Sequence, residues 1–262
     1  MSERIAAAFA GSGKNAALMP YLMGGFPDLE SSRLAAHAAA DNGADLMELG
    51  VPFSDPLADG PVIHAAGTEA LKNGTKLDDV LRVCESVGGD LPVVLMIYAN
   101  PILHRGVDEF TRLAADAGAA GIICPDLPHD EAGGLREAAD NAGLALVPLV
   151  APTSTDERIA EVGRDARGFV YTVSTTGTTG ERDQLPPELG RTVERVRVSA
   201  EVPVAVGFGI SNADHARAVG AIADGVIVGS RVVRAAGEGG PVAVGELVAE
   251  LAGALAGDAR TA

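Results

Sequence analysis

Eight short apolar runs recur along this chain of 262 residues, and alanine-rich stretches of helical period separate them. That alternation limits the fold more than any other feature. The runs are Leu18–Met23, Leu46–Leu49, Val93–Ile97, Gly121–Cys124, Ala145–Val150, Phe169–Val173, Val204–Val206 and Val226–Val228. Each is brief and mostly apolar, as expected of parallel strands covered on both faces. The intervening segments include Ser31–Asn42, Val107–Ala117, Asp130–Asn141 and Asn212–Val219. Glycine follows closely at Asn42-Gly43, Ala117-Gly118 and Ala142-Gly143, where it supplies the left-handed residue that ends a helix. Asn212 to Asp214, after Ser211, read as a capped helix start. Eight strand–helix units with no linker between them predict an α/β chain forming a single (β/α)8 TIM barrel domain over residues 1–262. A doubly wound open sheet is the alternative, but no GxGxxG fingerprint follows the first strand. Ser2–Phe9 predicts an extra N-terminal helix that packs Ile5 and Phe9 against the barrel floor.

A hydrophobic content of 47% provides for a substantial core. The formal net charge of −16 argues against a nucleic-acid backbone as partner and reads as a solubility feature. Cys84 and Cys124 form no C-x-x-C pair and have no metal-ligand spacing, so they read as reduced thiols. No basic-then-apolar leader and no bilayer-length apolar stretch is visible, so a soluble, cytoplasmic protein with no membrane partner is expected.

The string ELGVPFSDPLADGP, Glu48 to Pro61, carries the chemistry. It sets Glu48 inside an apolar strand and Asp59 in the polar loop that follows. An isolated carboxylate among apolar neighbours is costly while ionised, so its pKa rises toward the working pH, where it suits proton transfer. Asp59, in a polar loop, is expected to stay ionised and accept a hydrogen bond, dividing acid and base work between the two. The competing readings are a buried structural acid for Glu48 and ordinary turn residues for Asp55 and Asp59.

Other chemistries find little support. The three lysines, Lys14, Lys72 and Lys76, do not end any candidate strand, which disfavours a Schiff-base aldolase. The five histidines are scattered, without the spacing of paired metal ligands, and no G-x-S-x-G element is present. Gly207-Phe208-Gly209-Ile210-Ser211 follows the seventh run, and Gly229-Ser230 follows the eighth ahead of a short helical segment, Arg231–Ala235. Glycine turns and a helix N-terminus at these two places suit a phosphate group; tight βα turns are the plainer reading. Ser174–Gly190, polar and long for a turn, reads either as a lid over the site or as a surface loop.

Six motifs carry a resemblance. LMELGVPFSDPLADGP, YLMGGFPD, MIYANP (Met96–Pro101), PDLP (Pro125–Pro128), YTVSTTGTTG (Tyr171–Gly180) and VGFGIS (Val206–Ser211) follow one another in family order over nearly the whole chain. Together they resemble the tryptophan synthase α chain. The resemblance implies cleavage of indole-3-glycerol phosphate to indole and glyceraldehyde 3-phosphate, with Glu48 and Asp59 catalytic. It implies Tyr171 lining the site, phosphate at Gly180, Gly209, Gly229 and Ser230, and an indole pocket of Tyr21, Met96, Ile123 and Phe208. It matches Thr179 to a lid threonine that meets the aspartate on closure.

The residue chemistry agrees with that implication. Indole becomes a leaving group once its C3 carbon is protonated, which Glu48 can do. Asp59 can accept the ring N–H as positive charge develops, and Glu48, or water, can take the glyceryl hydroxyl proton. No cofactor is needed. The resemblance further implies an α2β2 heterotetramer with a pyridoxal-phosphate β chain, for which Asp55 and the loops around Pro52 and Asn100 are candidate contacts. Met23, Thr175 and Thr178 depart from the residues common in the family and bear on lid behaviour and partner communication. A non-catalytic activating subunit and another phosphate-binding barrel, such as a sugar-phosphate isomerase, are the alternatives.

Overall fold

The computed structural model describes residues 3–173, 187–207 and 209–256. Nine strands form one all-parallel sheet: β1 (Ala17–Met23), β2 (Met47–Gly50), β3 (Val93–Met96), β4 (Ala119–Ile123), β5 (Ala145–Leu146), β6 (Leu149–Val150), β7 (Val170–Val173), β8 (Val204–Gly207) and β9 (Gly225–Val228). Their order is β5-β4-β3-β2-β1-β9-β8-β7-β6, so the two outermost strands are adjacent in sequence. The fifth apolar run, expected as one strand, is therefore divided. Pro148 lies at the division and has no N–H to continue a ladder. Before it, Ala145 and Leu146 pair with β4, and the Val147 N–H reaches the Ile122 carbonyl at 2.9 Å. From Pro148 onward the pairing passes to β7: the Pro148 carbonyl accepts the Tyr171 N–H at 2.9 Å, and Leu149 is in register with Tyr171. One segment thus joins both ends of the sheet and closes the expected barrel.

Strand alternation decides which side chains face the axis. Met19, Leu46, Val94, Ala145, Phe169 and Ile227 form an interior cluster, while Leu18, Met47, Leu49, Leu95, Val170 and Val226 pack outward beneath the helices. Glu48, between the outward-facing Met47 and Leu49, therefore points inward.

The helices are α1 (Glu3–Gly11), α2 (Leu29–Asp41), α3 (Pro61–Lys72), α4 (Leu77–Val87), α5 (Ala99–Arg105), α6 (Val107–Asp116), α7 (Gly133–Asn141), α8 (Asp156–Asp165), α9 (Leu189–Ser199), α10 (Ala213–Gly220) and α11 (Ser230–Leu255). The anticipated glycine terminators adopt positive φ: +101° at Gly43, +77° at Gly118 and +74° at Gly143. The Asn212 side chain caps α10 by accepting the His215 N–H. Two helix boundaries differ from expectation by more than two residues. The segment from Asp130 becomes helical only at Gly133, because the Glu131 and Ala132 N–H groups bond back to Pro128 and His129 in turns. The segment Arg231–Ala235 is the start of the long α11, which bends at Gly240 (φ +63°) ahead of Pro241. Among the described residues no helix is long and apolar enough to cross a membrane.

Helix α1 closes the N-terminal end of the barrel. Ile5 is 0% exposed within the interior cluster, and the Phe9 ring lies 5.7 Å from that of Phe169. The Arg4 guanidinium donates to the Gly118 carbonyl at 2.8 Å and to that of Gly88. With the floor sealed, the open end is the one where the strands finish.

Candidate functional site

Glu48 lies on β2 with its side chain in the barrel interior and is 1% exposed. Its Oε1 atom has no hydrogen-bond partner among the described residues. Burial, reinforced by the negative charge of Asp59, pushes its pKa up to about 8. A carboxyl group in that state keeps its proton at neutral pH yet can release it, as a general acid must.

Asp59 ends the loop ahead of α3, whose first residues are Gly60 at the N-cap and Pro61 at the first helical position. Its carboxylate accepts the Tyr98 hydroxyl proton at 2.8 Å, and the same hydroxyl oxygen accepts the Ala58 N–H at 3.1 Å. Tyr98 in turn stacks on Phe53, with ring centroids 5.1 Å apart. These contacts pack the acid more closely than the polar composition of its loop indicates. Burial raises the pKa of Asp59, while the Tyr98 hydrogen bond and the nearby His64 pull it back. Both carboxyl groups are thus raised, with the fully buried Glu48 holding its proton to about 8.

The two acids share one cavity at the strand ends. Tyr21 and Tyr171 flank it from opposite sides of the barrel, and Met96 and Leu149 add apolar wall. The tyrosines are placed alike: the hydroxyl of Tyr21 rises over Gly50 of β2 and that of Tyr171 over Gly207 of β8, and a Cβ at either glycine would overlap it. Gly209, Gly229 and Ser230 form another part of the wall. Gly209 holds a φ of +81°, and Gly229 is the N-cap of α11, so the helix begins at the cavity with N–H groups free of intrahelical partners. An anion suits that position.

The sequence model of the family described as Tryptophan synthase alpha chain matches residues 8–251. The chain belongs to the tryptophan synthase alpha chain family. A tryptophan synthase alpha chain of Synechococcus elongatus is 49% identical over 242 residues, 91% of each chain. A structure of Mycobacterium tuberculosis tryptophan synthase superposes with a TM-score of 0.90 at 40% identity, covering 96% of this chain and 98% of that one. The tryptophan synthase a2b2 complex from Pyrococcus furiosus, described in terms of mutual activation, contains a chain that superposes with a TM-score of 0.84 at 39% identity, covering 92% and 99%.

Of the residues that the resemblance to the tryptophan synthase alpha chain singled out, Glu48, Asp59, Tyr21, Met96, Tyr171, Gly209, Gly229 and Ser230 meet around this one cavity. Ile123 does not border it: the side chain is buried in the barrel interior, and Pro125, Leu149 and Ile227 occupy the wall instead. Phe208, Thr179, Gly180 and the proposed lid with Thr175 and Thr178 lie outside the described residues. No group of three or more His, Cys, Asp or Glu side chains able to hold a metal occurs among the described residues.

Tyr98, which holds Asp59, is a residue that sequence reasoning missed. It sits inside MIYANP and continues the inward parity of Val94 and Met96, which could have pointed to it. Replacing it with Phe removes the donor that favours the charged form of Asp59. The Asp59 pKa then rises, and the acid limb of the kcat/KM profile moves to higher pH, with kcat about tenfold lower. A pH–rate profile of Tyr98→Phe that overlays the unmodified one after scaling shows instead that the hydroxyl only holds the loop.

Proposed function

We propose that the chain cleaves indole-3-glycerol phosphate to indole and glyceraldehyde 3-phosphate as the α subunit of a tryptophan synthase. The observation that carries this reading is Glu48: a buried carboxyl group with an unpartnered oxygen and a pKa of about 8, sharing a cavity with Asp59 and the glycine-edged start of α11. The phosphate binds the amides at Gly209, Gly229 and Ser230. The ring lies between Glu48 and Asp59 against Tyr21, Met96 and Tyr171.

Protonated Glu48 gives its proton to C3 of the indole ring and becomes the carboxylate. Positive charge spreads to the ring nitrogen, where the Asp59 carboxylate accepts the N–H and opposes that charge. The bond between C3 and the glyceryl carbon then breaks. Its electrons restore the aromatic ring, and the glyceryl hydroxyl loses its proton to Glu48 as the aldehyde forms. The acid is thereby returned to its starting state, and these steps call for no cofactor.

Indole is then available to a β chain in an α2β2 assembly, with a cytoplasmic setting. Two exposed leucines support a partner at this end: Leu57, 79% exposed in the loop ahead of Asp59, and Leu103, 65% exposed on α5. They lie near Asp55, Pro52 and Asn100 in sequence, the contacts expected for that partner. The chain acts as one barrel domain. Purified protein, alone and with a tryptophan synthase β chain, is expected to release indole and glyceraldehyde 3-phosphate in equal amounts from indole-3-glycerol phosphate. Release of neither product under both conditions overturns the reading.

A further inference from the structure

Tyr21 lines the cavity, and the steps above leave its hydroxyl unused. It stands on β1 directly beside Glu48, its register partner on β2. The residue is 3% exposed, and the hydroxyl's one partner among the described residues is the Met23 sulfur at 4.0 Å. A thioether is a weak acceptor. Tyr98 offers the contrast, since its hydroxyl both donates to Asp59 and accepts from Ala58. Phenylalanine would fill the same space without burying a poorly paired hydroxyl, and such groups are uncommon in folded proteins. Burial and the neighbouring carboxylates hold the phenol well above its usual pKa, so it remains an O–H donor.

Topology indicates what passes this hydroxyl. Strand β1 lies between β2 and β9. A ligand with its phosphate at Gly229 and Ser230, just beyond β9, and its ring beside Glu48 on β2 must carry its connecting chain across β1. Tyr21 is the β1 residue in the cavity wall, and its Cβ lies 3.9 Å from where a Cβ on Gly229 would stand. In indole-3-glycerol phosphate that connecting chain bears two free hydroxyl groups.

We infer that Tyr21 recognises the glyceryl chain: its hydroxyl hydrogen-bonds a free hydroxyl of the substrate where the chain crosses β1, and so selects a hydroxylated three-carbon linker over a bare one. This deepens the lyase reading and rests on it. The contact positions substrate, and no proton is transferred through it.

The test compares unmodified protein with Tyr21→Phe against two ligands. One is indole-3-glycerol phosphate; the other is indole-3-propanol phosphate, which keeps the ring and phosphate but has no hydroxyl on the linker. With Tyr21→Phe, kcat/KM for the first is expected to fall about tenfold, while the Kd of the second stays within about twofold. Equal weakening toward both ligands shows that the hydroxyl serves packing and overturns the inference, as does unchanged kcat/KM. Unmodified protein that binds both ligands but does not cleave indole-3-glycerol phosphate defeats the lyase reading separately. In that case the ratio of the two Kd values carries the test, and Tyr21→Phe must narrow it for the inference to stand.

Discussion

Glu48→Gln is expected to lose roughly 10³- to 10⁴-fold in single-turnover cleavage of indole-3-glycerol phosphate while the folded protein gains stability. The amide fills the same volume but has no acidic proton to give to the ring. Phosphate affinity changes little, because Gly229 and Ser230 are held by α11 rather than by β2. The stability gain follows from the same burial that makes the acid useful. The ordinary value for this carboxyl group is 4.5, and it is about 8 in the fold. Between those values the native state keeps a proton that the unfolded chain has released, so stability declines as pH rises through that window. At pH 7 the penalty is on the order of 3 kcal/mol, and glutamine does not incur it. Its own unmet hydrogen bonds offset part of the gain.

Denaturant unfolding at pH 5 and pH 8 checks this directly. The advantage of Glu48→Gln should widen toward the higher pH, and equal advantages at both would mean that the acid ionises freely. The rate has a matching dependence. Cleavage by the unmodified enzyme should fall as pH rises past about 8, where Glu48 gives up its proton. Near-normal turnover by Glu48→Gln would remove the residue from the mechanism.

Asp59→Asn should cost roughly 10²- to 10³-fold in kcat. The asparagine oxygen can still accept the ring N–H, but the negative charge that opposes the developing cation is gone. A second consequence separates this from simple misplacement. The Asp59 charge helps to raise the Glu48 pKa, so its removal lowers that pKa. The alkaline limb of the rate profile therefore moves to lower pH in Asp59→Asn. A limb that stays in place would mean that the two carboxyl groups do not sense each other.

Most of the barrel was legible because strands covered on both faces require unbroken apolar runs, and the terminating glycines follow from backbone sterics. The division at Pro148 was less so, although proline's missing N–H is itself a sequence fact. What could not be read was that the residues on either side of it pair with different neighbours. Glu48 was predictable from its own neighbours in the chain. The packing around Asp59 was not legible, because its surroundings come from Tyr98, far away in sequence, and a loop of polar composition can still be packed beneath an aromatic ring. Ile123 is buried without lining the cavity for a similar reason. Sequence parity tells which way a side chain points, but its height along the barrel axis decides whether it reaches the cavity.

The sealed barrel floor also constrains how the chain is made. Helix α1 precedes its aromatic partner Phe169 by about 160 residues, and Arg4 has no carbonyl to hold until Gly88 and Gly118 have been added. At ordinary synthesis rates that delay is on the order of ten seconds. For that interval the apolar side of the helix, with Ile5 and Phe9, has nowhere native to dock, so a helix made before any strand of the barrel is among the last elements to settle.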